Sequence, residues 1–225
     1  MTFKMWSGLH YLMLVAPIVF TIVLSLLTKN KTKTTKQKIG VILSIIAVII
    51  LILRNIEIFV QYKEITPEII PLQICHFANF ILLFAFLKDS KALFLVAFAF
   101  NLPAATMSLV FANSLENYAN ILTFRGMAYI FGHILIVFLG LWAYIENFVK
   151  INKKDIFNGF VFIMLLFIIS IPINNIFNFL IPNHSSNYFY SLQPEGGTPL
   201  EIFYRFGKEV SFLGMRFNPI YLLLT

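Results

Sequence analysis

Apolar runs long enough to cross a bilayer recur along the chain, broken at short intervals by lysine, asparagine and proline. A hydrocarbon core about 30 Å thick takes about 20 helical residues at about 1.5 Å each. Six runs fit: 11–27, 39–60, 70–87, 92–111, 127–148 and 156–181. The third and fourth are joined only by Lys88, Asp89, Ser90 and Lys91, which predicts a tight antiparallel connection. Pro103 and Pro172 fall inside the fourth and sixth runs and predict kinks there. In 199–225 the pattern fails, because Glu201, Arg205, Lys208, Glu209 and Arg216 interrupt it. The expected fold is therefore all-α: a polytopic transmembrane helical bundle forming a single integral membrane domain over 1–225. It has six helices plus an irregular or incomplete seventh element.

Composition agrees, with 59% hydrophobic and only 12% charged residues and a mean hydropathy of +0.84. A water-soluble domain, a disulfide scaffold or a disordered chain is excluded. The net charge of +7 comes without any basic and aromatic nucleic-acid module, so no nucleic-acid partner is expected. What the charge does settle is orientation, because lysine and arginine in short loops stay on the cytoplasmic side. The first, third and fifth loops carry Lys29, Lys31, Lys33, Lys36 and Lys38, then Lys88 and Lys91, then Lys150, Lys153 and Lys154. The opposite side has Lys4, Lys63 and Arg125. This predicts a multi-pass protein of the cell membrane with its N-terminus outside, the first run being a retained span. The Lys29–Lys38 stretch is either an ordinary topology signal or a contact for anionic lipid.

Ionisable and amide groups inside a membrane are costly, so their positions are informative. His10, Arg54, Glu57, Cys75, His76, His133 and the asparagines 174, 175 and 178 all fall in the outer half of their spans, whereas the inner halves are aliphatic and Phe-rich. One outward-facing pocket accounts for the pattern. Cys75 and Asn79 share a helix face at i,i+4, while His76 is turned by about 100° from Cys75. Cys75 is either a small packing residue or a nucleophile. As a nucleophile it needs a base to form thiolate, which His133 or His10 on another helix supplies better than His76. His133 is equally readable as a packing histidine. Arg54 and Glu57 are spaced to pair with each other, and His184 reads as a loop histidine. The sequence has no Gly-rich phosphate loop, no His-Glu-x-x-His and no Gly-x-Ser-x-Gly, so no cofactor or metal is expected.

Ser7-Gly8-Leu9-His10 before the first run, Pro71-Leu72-Gln73-Ile74-Cys75 opening the third, His133 in the fifth and Asn187-Tyr188 after the sixth resemble the bacterial YwaF-type integral membrane proteins, relatives of transmembrane protein 164. The resemblance spans most of the chain. The motif Pro-Leu-His-Leu-Cys-Asp has Gln73 and His76 at its variable places here. The resemblance implies a lipid acyltransferase working through Cys75, with His133 as the matching histidine and a membrane phospholipid or lysolipid as partner. His10, Asn174, Asn175 and Asn178 would then orient the imidazole or donate to an oxyanion, with Asn79 and Glu57 supporting the site. The rival expectation is a small transporter or lipid-binding membrane protein without catalysis.

Overall fold

The computed structural model describes residues 2–118, 120–181 and 185–224. His184 lies outside the described residues. The chain divides into two compact units, Met1–Lys63 with Ile74–Phe160, and Glu64–Gln73 with Val161–Thr225.

In the first unit, α1 (Gly8–Thr28), α2 (Lys33–Tyr62), α3 (Ile74–Lys88), α4 (Lys91–Val96), α5 (Leu102–Val110) and α6 (Phe124–Ile145) form the bundle. Ser7, Thr32, Ser90 and Thr123 cap α1, α2, α4 and α6 through their hydroxyls, each accepting from a backbone N–H of the first turn. α6 is the hub: α1, α2, α3 and α5 all pack on it. Outward faces of α1 and α2 leave Leu26, Leu27, Ile42 and Val60 exposed, as a lipid-facing surface requires.

Five helices are long and apolar enough to cross a membrane: α1, α2, the run Lys91–Val110, α6 and α7 (Lys153–Leu180). The third expected span is different. Its helix begins at Ile74 rather than at 70, and residues 67–73 form turns instead. Pro71 lacks an N–H and disfavours helical backbone at the residue before it, which delays the start. Pro103 acts similarly. The expected kink is a π-helical turn at Ala97–Asn101 just before the proline, between α4 and α5.

The lysine-rich loops meet at one end of this unit. Lys36 pairs with Glu146 after α6, Thr28 donates to Glu146 at 3.4 Å, and Lys33 and Lys91 both pair with Asp89. Burial works to raise the Asp89 carboxyl, but the hydrogen bonds and charges of the two lysines overcome it and hold it below the ordinary carboxylate value. Its stabilising contribution is therefore complete at neutral pH and fades only in acid, below about pH 4. Just inside lies an aromatic plug of Phe86, Phe94, Trp142 and Phe148, with Phe86 edge-on to Phe94 at 4.9 Å.

A Cβ on Gly40 would collide with the Phe86 ring. Gly40→Ala is therefore expected to lower stability by about 1–3 kcal/mol, read as a lower thermal midpoint in detergent.

In the second unit, the membrane-spanning α7 continues from Val161, followed by a 3₁₀ turn at Tyr188–Tyr190 and a small C-terminal module. That module is α8 (Leu200–Arg205), β1 (Val210–Phe212), β2 (Met215–Phe217) and α9 (Pro219–Leu224). The irregular seventh element is thus a folded hairpin between two short helices, organised by the fully buried Asn218. Its amide donates to the Tyr204 carbonyl at 3.1 Å and its Oδ1 accepts from Tyr221 N at 3.1 Å.

Candidate functional site

Cys75 is the second residue of α3 and is partly exposed. Counted along the helices, it lies about 20 Å from the lysine-rich end of α3, and His133 about 18 Å from the same end of α6. The two side chains are hydrogen-bonded across the helix interface. The other ring nitrogen of His133, Nδ1, sits 2.7 Å from the Tyr129 carbonyl. A carbonyl only accepts, so Nδ1 carries the proton and Nε2 is the nitrogen with a lone pair, the one left to face the thiol. The Tyr129 ring lies against the imidazole at 4.2 Å between centroids and fixes its plane. Tyr129 also donates its phenol O–H to the Ser108 carbonyl at 2.9 Å.

Ser108 completes the arrangement on α5. Its Oγ is 3.7 Å from the Cys75 sulfur and donates to the Ala104 carbonyl at 3.1 Å. Cys75 is therefore flanked by an imidazole with a fixed tautomer and by a hydroxyl. Asn79, one turn below, donates to the Cys75 carbonyl at 3.1 Å, and its own Oδ1 is buried with no hydrogen-bond partner among the described residues. His76 points elsewhere, as its 100° rotation requires. Its Nδ1 is also buried and unpartnered among the described residues, and it lies within electrostatic reach of Arg54 and His133. Arg54 is 9% exposed and donates to Asn55 at 3.0 Å, while Glu57 Oε2 on the same helix is buried without a hydrogen-bond partner among the described residues. Buried polar atoms left unpaired cost about 1–3 kcal/mol each unless a ligand or water meets them. Those of Asn79 and His76, beside Cys75 on α3, mark its surroundings as polar space inside an apolar bundle.

The other candidates are engaged elsewhere. His10 is fully buried, its Nδ1 accepts from Trp6 N at 3.0 Å and its Nε2 donates to the Leu109 carbonyl at 2.8 Å. It pins α1 to the end of α5, next to Ser108, and has no nitrogen to spare for the imidazole of His133. In the second unit, Asn174 donates to Tyr188 O at 3.0 Å and Ser191 Oγ at 2.9 Å and accepts from Ser186 Oγ and Tyr188 N. Asn178 takes both backbone groups of Ser186, and Asn175 those of Arg216. These asparagines clamp the segment after α7, and oxyanion donation by Asn174 would require those bonds to open. Tyr188 extends the clamp by donating its phenol to Pro67 O at 2.7 Å. Burial pushes that phenol up to about 12 against the opposing pull of Ser186, so it remains a donor at neutral pH.

Sequence reasoning passed over Tyr129 and Ser108. The usable signal was Tyr129 at i−4 from His133, the spacing at which a helical carbonyl meets the side chain one turn on. Among the described residues, no group of three or more His, Cys, Asp or Glu is placed to hold a metal.

A helical membrane bundle with a paired cysteine and histidine at one end of its polar interior is the class defined here. The family model described as the TMEM164 family matches residues 5–225, and the chain belongs to that family. No curated protein and no solved structure matches it.

Proposed function

We propose that the protein is a membrane-embedded acyltransferase in which Cys75 takes an acyl chain from a phospholipid and passes it to a lysolipid hydroxyl. The observation that carries this reading is the His133 imidazole, hydrogen-bonded to Cys75 on one side and bonded through Nδ1 to the Tyr129 carbonyl on the other. A free thiol with a pKa near 8.5 is mostly protonated at neutral pH, and only thiolate attacks an ester efficiently.

His133 Nε2 takes the thiol proton as sulfur adds to the ester carbonyl. The tetrahedral intermediate collapses, the glycerol oxygen leaves with the proton from imidazolium, and a thioester remains on Cys75. In the second half, the acceptor hydroxyl gives its proton to Nε2 and attacks the thioester, and the thiolate departs. The Ser108 hydroxyl, by turning from Ala104 O toward the sulfur, supplies a donor to the thiolate. A cysteine about 20 Å from the lysine-rich end lies in the opposite half of the hydrocarbon core, so the donor ester has to dip about 10 Å below the opposite boundary to reach it. Reconstituted protein given a labelled phospholipid and an unlabelled lysolipid tests the reading. Labelled chain is expected on the acceptor, and its absence under saturating lipid would overturn it.

The positive-inside rule makes the lysine-rich end cytoplasmic and the N-terminus external, puts Cys75 in the outer half of the membrane, and makes anionic lipid a partner for the lysine loops. In a Cys75→Ser background, a cysteine at Lys31 is expected to react with an impermeant maleimide only after permeabilisation. Labelling in intact cells would reverse the topology.

A further inference from the structure

The C-terminal hairpin has two chemically different faces. Its antiparallel register pairs Val210 with Phe217, Ser211 with Arg216 and Phe212 with Met215. Directly opposed residues share a face and successive residues alternate, so Val210, Phe212, Met215 and Phe217 fall on one side and Ser211 and Arg216 on the other. On the apolar side Phe212 is 60% exposed, and Leu213 at the tip is 81% exposed. A lone two-stranded ribbon with an uncovered apolar face is at best marginally stable in water.

Its depth indicates what covers it. Both backbone groups of Arg216 are bonded to the side chain of Asn175, the N–H to Oδ1 at 3.0 Å and the carbonyl to Nδ2 at 3.3 Å, so β2 is held against the spanning helix α7. Asn175 lies about 32 Å along α7 from Lys154, one hydrocarbon thickness from the basic residues that open the helix. The ribbon is therefore fixed at the far membrane boundary, where an apolar face meets acyl chains and a basic one meets phosphates.

We propose that the 210–217 hairpin is an interfacial anchor whose Phe212 and Leu213 tip inserts among lipid chains, with Arg216 at headgroup level. The inference stands apart from the acyltransferase reading. The 225-residue chain carrying Cys75→Ser has no other cysteine, so a single Leu213→Cys can carry an environment-sensitive fluorophore in phosphatidylcholine and phosphatidylglycerol vesicles, with Glu195→Cys as a control on the exposed loop before α8. At 213 a blue-shifted emission is expected, quenched several-fold more by lipids spin-labelled near the glycerol than by aqueous iodide, with the reverse at 195. Iodide quenching at 213 equal to that at 195 would overturn the proposal. So would protection from both quenchers, which would mean that a second copy or another part of the chain covers the tip.

Discussion

Replacing Cys75 with alanine is expected to abolish acyl transfer while leaving the bundle folded, with the rate falling by about 10³-fold or more. Without sulfur no thioester forms, and a direct attack of lysolipid hydroxyl on the phospholipid ester would have to occur in one step. The structural cost is small, since Cys75 is partly exposed at the second position of α3 and the Asn79 bond goes to its backbone carbonyl, which alanine keeps. Transfer assays and thermal unfolding on the same preparation separate the two effects. An unchanged rate in Cys75→Ala would end the covalent mechanism.

His133→Gln is expected to lower the rate by about 10²–10⁴-fold, the usual contribution of a positioned general base. Glutamine retains an N–H able to reach the Tyr129 carbonyl and roughly the same length, but its amide cannot accept the thiol proton at neutral pH. Loss of activity with an unaltered thermal midpoint identifies a base, whereas parallel loss of both would identify a packing residue. Without its base the variant depends on preformed thiolate, so its residual activity is expected to rise as the pH is raised. A variant with the wild-type rate and pH profile would remove His133 from the mechanism.

Much of the bundle was legible because the bilayer constrains it so tightly. Apolar runs of the right length mark the helices, and the pairing of Lys33 and Lys91 with Asp89, and of Lys36 with Glu146, bears out that the lysine loops share one end of the first unit. Hydropathy averages over prolines, however, and so hid the late start of α3 after Pro71 and the π-helical turn before Pro103. The C-terminal hairpin was invisible for a related reason. Its order comes from Asn175 and Asn218 bonding to backbone residues 14–41 positions away, and no local pattern announces such contacts.

The candidate site was legible as a set of polar residues at one depth, but their pairing was not. Which histidine meets Cys75 depends on the rotation of α6 against α3, a property of packing. Asparagines 174, 175 and 178 looked identical in sequence to pocket residues, because an amide that binds a ligand and one that binds a loop carry the same chemistry. Tyr129 is the reverse case: its hydrogen bond to His133 comes from a backbone carbonyl, which any residue type provides.

The central claim is that the Cys75 sulfur carries the acyl chain between donor and acceptor. Incubating the purified protein with a labelled phospholipid and no acceptor, then quenching in acid, tests it directly. The account predicts label on the Cys75 peptide that is released by neutral hydroxylamine, disappears on addition of lysolipid as the acceptor gains it, and is absent from Cys75→Ala. Transfer of label to lysolipid with no adduct on Cys75 at any time, or an adduct that acceptor does not discharge, would contradict it.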